Sequence, residues 1–334
     1  MQDLFAESIA ALLADHATPT AVRLAGGQMD PGLWTQLTDA GYDQALVPEA
    51  LGGAGLGFGE LGAALQALGR HAAPVPLGEA MLARGWGGAA GIALPPGAVS
   101  VGSAQRVGDE IIATAVPWAL DATCIVALLP DGAAMVFSPA DALSTELHAG
   151  LHPNGECDLR WRESDALQRF ALPPGADAFA AGAALRVAQI AGALDTVLEQ
   201  VLAYAAERRQ FGRAIAKFQA IQQQIAVLAE DVFAARMAAA LAFSGGQTHG
   251  LDSARVAAAK VVASEAAARS CAIAHAVLGA MGIAEEHDLQ LFTRRLLAWR
   301  MQYGSEAFWS ARLGRGLLDG GQSAWTFARE LAPA

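Results

Sequence analysis

The chain has 334 residues, of which 54% are hydrophobic and 16% charged, and its formal net charge at pH 7 is −11. This length is typical of two or three packed subdomains, and the composition excludes intrinsic disorder. So acidic a chain is expected to be a poor nucleic-acid binder, because neutralising nucleic-acid phosphates needs an extended basic surface. The sequence has no stretch of 18 or more consecutive strongly apolar residues, so no membrane span is predicted.

Three cysteines are scattered along the sequence without a CxxC pair, at Cys124, Cys157 and Cys271. Their odd number and spacing support neither a disulfide framework nor a zinc site. The N-terminal segment, which carries Asp3 and Glu7, lacks the basic region of a signal peptide. We therefore expect a cytoplasmic protein with reduced thiols and no bound metal.

Residues 1–95 are predicted to be helical with glycine-rich joints. Asp30 followed by Pro31 has the form of a helix N-cap with proline at the first helical position. A second helix is predicted over residues 61–69. The glycine-rich sequence VPEALGGAGLG at 47–57 predicts an irregular loop before it.

Residues 96–174 have a different character, with short β-branched segments separated by turn signals such as Gly108-Asp109. The predicted strands cover residues 98–102, 110–116, 124–129 and 134–137. Short strands with turns at this spacing predict a small antiparallel sheet or barrel.

Residues 175–334 are predicted to be helical again, after a joint at Pro173. The predicted helices cover residues 187–202, 218–232, 253–278, 288–302 and 305–318. In the first of them apolar residues recur at intervals of three and four, which marks one buried face. Ser253 has the position of a cap for the third helix, and Gly279 follows its end. Long amphipathic helices with short joints pack as an antiparallel four-helix bundle.

The sequence ERRQFGR at 207–213, followed by FQAIQ at 218–222, resembles a motif of the acyl-CoA dehydrogenase family. Two other stretches resemble family segments in the same order along the chain. VPEALGGAG at 47–55 is similar to the N-terminal glycine loop, and GAMG at 279–282 is similar to a later glycine turn. The resemblance therefore extends over nearly the whole chain.

The resemblance implies an α+β fold that is mostly α. Its domains would be an N-terminal helical domain at 1–95, a small middle β-domain or barrel at 96–174, and a C-terminal four-helix bundle at 175–334 that forms cofactor and oligomer interfaces. It also implies FAD as the cofactor, an acyl-CoA thioester as the substrate, and α,β-dehydrogenation in lipid metabolism as the activity.

In this family FAD lies between subunits, and the resemblance assigns a set of residues to a neighbour's FAD: Arg208, Gln210, Phe211, Gln219, Gly279 and Gly282. Arg208 would bind the pyrophosphate, because a planar guanidinium donates two hydrogen bonds to phosphate. Phe211 would pack near the adenine, the two glutamines would add hydrogen bonds, and the two glycines would admit the cofactor to the backbone. Without the resemblance, Arg208 is a cation at a helix C-terminus and Phe211 a core residue.

The family's catalytic base is a glutamate that takes the α-proton of the thioester, and here the sequence departs from the family pattern. Gly304 occupies the usual position, next to Tyr303. Gly182 stands at the family's alternative position on the first bundle helix. Glu306 is the nearest carboxylate, and its position near a helix start equally suits a favourable charge at a helix N-terminus.

The middle domain departs from the family as well, because the loop and strand that hold the flavin ring of the same subunit are missing. Trp118 is the nearest aromatic candidate, and it can equally belong to the core. The retained residues would act on a neighbour's FAD, and the missing ones on the chain's own. This asymmetry resembles the short subunits of heteromeric acyl-CoA dehydrogenases. Three hypotheses remain: a dehydrogenase in a homo-oligomer, a non-catalytic partner that completes the FAD site of a longer paralogue in a hetero-oligomer, or a helical scaffold without flavin.

Overall fold

The computed structural model describes residues 2–148, 155–244 and 250–332. The first helices are α1 (Gln2–His16), α2 (Pro19–Ala25), α3 (Pro31–Asp39), α4 (Gly62–Arg70) and α5 (Leu77–Ala89). The predicted cap of α3 is confirmed, since the Asp30 side chain accepts hydrogen bonds from the backbone N–H groups of Gly32 and Leu33. The helix predicted at 61–69 is α4, shifted by one residue.

A seven-stranded sheet follows. Its strands are β1 (Val99–Val107), β2 (Glu110–Val116), β3 (Cys124–Leu128), β4 (Ala133–Phe137), β5 (Ser144–Leu147), β6 (Cys157–Arg162) and β7 (Gln168–Ala171), in the order β5-β6-β2-β1-β3-β4-β7. Neighbours are antiparallel except β1 and β3. The sheet differs here from the antiparallel expectation: β2 and β3 flank β1 on opposite sides, and β3 runs in the direction of β1.

The strands β5, β6 and β7 were absent from the sequence prediction. In β6 the residues Cys157, Leu159 and Trp161 are buried and alternate with more exposed polar residues, which is the period of a strand with one buried face. β5 is exposed along its whole length, so it has no apolar pattern to detect. The sequence Pro153-Asn154-Gly155 is a further turn signal, and it lies mostly outside the described residues.

The C-terminal part is helical. It consists of α6 (Ala178–Glu207), a hairpin of β8 (Arg209–Gln210) and β9 (Arg213–Ala214), then α7 (Gln219–Phe243), α8 (Ser253–Leu278), α9 (Ala280–Ile283), α10 (Leu289–Trp299), α11 (Glu306–Gly320) and α12 (Ala324–Leu331). α6, α7 and α8 pack against one another, while α10 packs on α6 and α11 on α8. The cap of α8 is Asp252 rather than Ser253. The Ser253 hydroxyl instead donates to Asp177, the residue that caps α6.

Two hydrophobic clusters stabilise the fold. The larger one is continuous from the N-terminal helices through the bundle and reaches one face of the sheet. The smaller one lies on the other face and includes the stacked rings of Phe137 and Trp161, whose centroids are 4.8 Å apart. The type of element changes after α5 and again after β7, and we keep the predicted domain ranges as a proposal: 1–95, 96–174 and 175–334.

By length and composition, α6 and α8 are each apolar enough to cross a membrane. In α6, 83% of the most apolar window is buried inside the protein. The core helix of a bundle passes the same test, and α6 packs against α4, α7 and α8.

Candidate active site

The end of α6 carries the motif that resembles the family. Arg208 closes the helix by donating its backbone N–H to the carbonyl oxygen of Tyr204 at 2.8 Å. The hairpin of β8 and β9 follows, and its turn holds Phe211 and Gly212 at φ values of +49° and +78°. Positive φ is uncommon for a residue with a bulky side chain. The Phe211 ring at this turn is 91% exposed and meets the Phe218 ring edge-to-face, with centroids 6.1 Å apart.

A cleft of about 630 Å³ lies between this hairpin and the end of α8, and we call it the Arg208 cleft. Its volume is within the range of small-molecule sites. Predicted cofactor residues and apolar side chains line it together; they include Arg208, Gln210, Phe211, Phe218, Val277 and Gly279. The cleft therefore joins the two motifs, which are about 70 residues apart in the sequence.

The hairpin is basic although the whole chain is acidic. Arg208, Arg209, Arg213 and Lys217 lie within ten residues, and in the described parts of the chain no carboxylate pairs with the Arg208 guanidinium. The Arg213 guanidinium lies 4.2 Å from the ring centroid of Phe218, which is a cation–π distance. This surface combines unpaired positive charge with aromatic rings, so it suits an anionic ligand that carries an aromatic group.

The other predicted cofactor residues divide into two groups. Gly279 lines the cleft, has a φ of +59°, and has open space where a Cβ would lie. Gln219 is exposed as the first residue of α7, next to the cleft-lining Phe218. Gly282 does not line the cleft: it is buried, and a Cβ there would lie 3.1 Å from Leu278 and 3.2 Å from His275. Its packing against these two residues explains the glycine without a cofactor.

A second cleft, of about 290 Å³, lies between the sheet and the segment that follows α10, and we call it the Glu156 cleft. The lining includes Val101, Ser103, His148, Glu156, Gln302 and Gly304. Gly304 is the usual base position of the family that the sequence resembles. The resemblance therefore predicts that the substrate of this chain's own site would lie in this cleft.

Glu156 is the buried carboxylate of this cleft, with 2% of its surface exposed. The Gln302 side chain donates a hydrogen bond from Nε2 to Oε1 of Glu156. His148 lies on the other side: its Nδ1 is 4.0 Å from Oε2 of Glu156, and its Nε2 is 2.8 Å from Oδ1 of Asp158. Oε1 of Gln302 is buried and accepts no hydrogen bond from the residues that the structure describes, so among them it is an unused acceptor.

The two glycines at the family's base positions are closely packed. A Cβ on Gly182 would lie 2.4 Å from the Tyr303 ring, and one on Gly304 would lie 2.7 Å from Phe308 and 2.8 Å from Trp309. Gly304 also has a φ of +92°, which side chains rarely adopt. Neither position can hold a glutamate in this arrangement of rings.

Tyr303 joins the sheet to the bundle at this point. Its hydroxyl donates to the carbonyl oxygen of Val101 at 3.4 Å, and burial raises the pKa of the Tyr303 phenol above its ordinary value. It is therefore a neutral donor at neutral pH rather than a base. Trp118, the aromatic candidate of the middle domain, is 2% exposed and lines neither cleft, so it belongs to the core.

Glu306 is not in the Glu156 cleft. It is the first residue of α11, and its carboxylate pairs with the Arg300 guanidinium. Partial burial alone would raise the pKa of Glu306, but the hydrogen bond and charge of Arg300 outweigh it and hold that pKa below its ordinary value. A carboxylate held in its charged form by an arginine is a weak base, so the geometry favours the role at the helix N-terminus.

The sequence analysis missed the polar residues of the Glu156 cleft: His148, Glu156 and Gln302. Glu156 stands alone before a strand and has no motif around it. Gln302 carries no signal of its own, because the family pattern at this loop predicts a glutamate at position 304 and the nearest carboxylate in sequence is Glu306. Their contact joins positions 146 residues apart, which local patterns do not reveal.

Comparison with known families matches both ends of the chain. The model of the acyl-CoA dehydrogenase N-terminal domain matches residues 1–93, and that of the acyl-CoA dehydrogenase C-terminal domain matches residues 176–318. Among curated proteins, acyl-CoA dehydrogenase IpdE2 of Mycolicibacterium smegmatis is 29% identical over 300 residues, covering 88% of this chain and 91% of that protein. Acyl-CoA dehydrogenase FadE27 of Mycobacterium tuberculosis is 30% identical over 60% of this chain.

Solved structures share the fold along almost the whole chain. The Tcur3481–Tcur3483 steroid ACAD matches with a TM-score of 0.81 at 24% identity, covering 96% of this chain and 99% of that one. The ChsE4–ChsE5 complex from Mycobacterium tuberculosis matches with a TM-score of 0.77 at 22% identity, covering 95% and 97%.

Proposed function

Because the chain belongs to the acyl-CoA dehydrogenase family, we propose that it dehydrogenates an acyl-CoA thioester between the α- and β-carbons as one subunit of an oligomer. The activity is that of a FAD-dependent oxidoreductase. When bound, FAD supplies the two-electron acceptor for the hydride that leaves the β-carbon.

The residues of the Arg208 cleft fit a flavin dinucleotide. Arg208 would bind the pyrophosphate through charge-assisted hydrogen bonds, which are shorter and stronger than neutral ones. Gln210 would add a hydrogen bond and Phe211 would contact the adenine. The open backbone at Gly279 would border the cofactor, while Gln219 would reach it from the start of α7. The packing of Gly282 against α8 is enough to explain why this residue is a glycine, so no contact with the cofactor is assigned to it.

The observation that carries the proposal is the position of the hairpin. Phe211 is 91% exposed, and the cationic side chains of the hairpin are exposed as well. A flavin bound only by these residues would be largely in solvent, so a second subunit must cover the rest of it. The family resemblance implies this arrangement, and the geometry supports it.

An anaerobic titration with acyl-CoA thioesters of different chain length and ring content tests the function. The absorbance of the bound flavin is expected to bleach with one or more of them, because two electrons pass from the substrate to the flavin. A protein that holds no FAD, or holds FAD that no thioester bleaches, both alone and with a co-expressed paralogue, would contradict the proposal and leave the helical-scaffold hypothesis.

A second candidate for the assembly is a hetero-oligomer with a longer paralogue that carries the base. The packing of Gly182 and Gly304 favours it, since both family base positions are closed in this chain. Two structural neighbours are named as assemblies of two components, Tcur3481–Tcur3483 and ChsE4–ChsE5. The names of the relatives favour a dehydrogenase subunit over a non-catalytic partner.

The ratio of flavin to chain separates the two assemblies. A homo-oligomer predicts one tightly bound FAD per chain in protein purified alone. A hetero-oligomer predicts weak or absent flavin in the isolated chain, and fewer flavins than chains after co-expression with the longer paralogue. We propose that either assembly acts in the cytoplasm, in keeping with the three free, buried cysteines.

A further inference from the structure

The dehydrogenation needs a carboxylate close to the thioester in a site that excludes water. Gly182 and Gly304 cannot supply it, and Glu306 is held by Arg300 outside the Glu156 cleft. Among the described residues that line this cleft, Glu156 is the carboxylate. Glu156 and Gly304, the residue at the usual base position, line the same cleft.

We propose that Glu156 is the catalytic base of this chain's own site, supplied by the sheet in place of a glutamate from the bundle. The proposal rests on the proposed acyl-CoA dehydrogenase function and goes further by naming the group that accepts the α-proton. Its basis is the cavity, the 2% exposure of the side chain, and the contact with Gln302 that holds the carboxylate against the cleft.

The proposed step is balanced in atoms and electrons. The bond between the α-carbon and its hydrogen breaks, and the proton passes to the Glu156 carboxylate. The electron pair left on the α-carbon forms the double bond to the β-carbon. The hydrogen on the β-carbon leaves as hydride to the FAD named in the proposed function. The products are the enoyl thioester, the reduced flavin and a protonated Glu156.

The neighbours of Glu156 suit this role. Gln302 fixes one carboxylate oxygen, and its own Oε1, which is buried and has no donor in the described parts of the chain, can accept from an N–H or O–H group of the bound ligand. His148 stands between Glu156 and Asp158. Because the side chains of His148 and Asp158 are 32% and 35% exposed, this row of groups gives the proton a route from the cleft to solvent.

The test measures proton transfer without turnover. The FAD-loaded assembly is incubated in D₂O with an acyl-CoA that has sulfur in place of the β-carbon, so that no hydride can leave. Exchange of its α-hydrogens is followed by mass spectrometry. Glu156→Gln is expected to slow the exchange about a hundredfold or more, the scale of general-base catalysis. The bound flavin should be unchanged, because the substitution keeps the size of the side chain.

Two comparison variants make the result specific. Glu110→Gln removes a carboxylate that pairs with Arg160 on the surface of the same sheet, and Glu306→Gln removes the one beside Arg300. Both are expected to exchange within about twofold of the wild type. Glu156→Asp keeps a carboxylate but withdraws it by one methylene, so a partial loss is expected, and this variant carries the test if Glu156→Gln does not fold.

Exchange at the wild-type rate in Glu156→Gln or Glu156→Asp would overturn the assignment. If the wild type still bleaches with acyl-CoA in that case, the proposed function stands and the base lies elsewhere, as in a partner subunit. If Glu306→Gln alone abolishes exchange, Glu306 is the base and the assignment is wrong. A wild type that neither bleaches nor exchanges would overturn the function and the base together.

Discussion

The Arg208 cleft and the Glu156 cleft are built in opposite ways. The first is open and cationic, and it is made by a hairpin whose residues match the family motif. The second is smaller and lies between sheet and bundle, and its lining includes Gly304 where the family resemblance predicts a glutamate. In the proposed assembly the first serves a neighbour's FAD and the second serves this chain's own substrate.

The proposed assembly implies that the two halves of such a site can change independently. In that assembly the Arg208 hairpin is constrained by the neighbour's cofactor, which would explain why its motif is recognisable. The closed aromatic packing of Phe179, Tyr303 and Trp309 has replaced the space that a glutamate would need. If Glu156 acts as the base in the Glu156 cleft, the chain is a catalytic subunit. If it does not, the chain only completes the FAD site of a neighbour.

The largest expected effect is a loss of stability when a side chain is added at Gly182 or Gly304, where aromatic rings pack against the glycine. Gly304→Ala is expected to cost about 1–3 kcal/mol for overpacking and a further ~1–3 kcal/mol for its left-handed backbone. Gly182→Ala is expected to cost about 1–3 kcal/mol. Gly314→Ala is the control, because its Cβ would enter open space in α11, and a gain of ~0.5–1 kcal/mol is expected.

Urea denaturation measures these free energies of unfolding. Wild-type stability in either Gly304→Ala or Gly182→Ala would show that the aromatic rings can move to accommodate a Cβ. Dehydrogenase activity gained in Gly304→Glu would go further and show that the second cleft still accepts the family's own base.

The next effect is on the Arg208 cleft. Arg208→Ala is expected to weaken FAD binding by about 1.5–3 kcal/mol, roughly 10- to 150-fold in Kd, because it removes charge-assisted contacts to phosphate. Arg209→Ala removes the same charge one residue away, from a side chain that does not line the cleft. Equilibrium dialysis measures the FAD affinity of both variants. Equal losses of affinity would mean that Arg208 contributes only its positive charge and makes no specific contact with the phosphate.

A smaller effect is expected from Gln302→Leu, which leaves the buried Glu156 carboxylate without its amide donor. An unmet buried acceptor costs about 1–3 kcal/mol. In the double variant with Glu156→Leu the loss is expected to be less than the sum of the two single losses, because neither polar group is then stranded. Strictly additive losses would mean that the two side chains do not interact in solution.

The smallest effect concerns Glu306. Its pKa lies below the ordinary value of 4.5, so the charged carboxylate contributes stability above about pH 4.5, and this contribution is lost as the pH falls through the folded-state pKa. Because the Arg300 pair is partly exposed to solvent, Glu306→Gln is expected to cost under about 1 kcal/mol at pH 7. The difference from the wild type should vanish at low pH in thermal melts, and a difference that grows on acidification would contradict the ion pair.

Much of the fold could be predicted from the sequence. Asp30 and Pro31 start a helix by local rules, and the apolar period of α6 is long enough to identify without a tertiary context. The strand β6 was predictable from the alternation of Cys157, Leu159 and Trp161 but was missed, whereas the exposed β5 carried no signal. Ser253 and Asp252 are both residue types that cap helices well. The Ser253 hydroxyl is instead bonded to Asp177, a long-range contact that the sequence does not reveal.

The candidate site was predictable only where a motif was continuous. The hairpin at 208–213 is read from adjacent residues, and its place beside Gly279 followed from the family resemblance. The Glu156 cleft depends on a contact between the sheet and the loop after α10, and on rings that close around two glycines. Glycine in a sequence does not reveal which side chains surround it, so neither the closure nor the buried carboxylate could be anticipated.

An experimental structure of the FAD-loaded assembly tests the central claim most directly, by the distance between the Arg208 guanidinium and the nearest FAD pyrophosphate. We predict hydrogen-bond distance, with the flavin ring of that FAD held by a different subunit. A FAD held entirely within one subunit, or a pyrophosphate remote from every Arg208, would contradict the claim that this hairpin completes a neighbour's site.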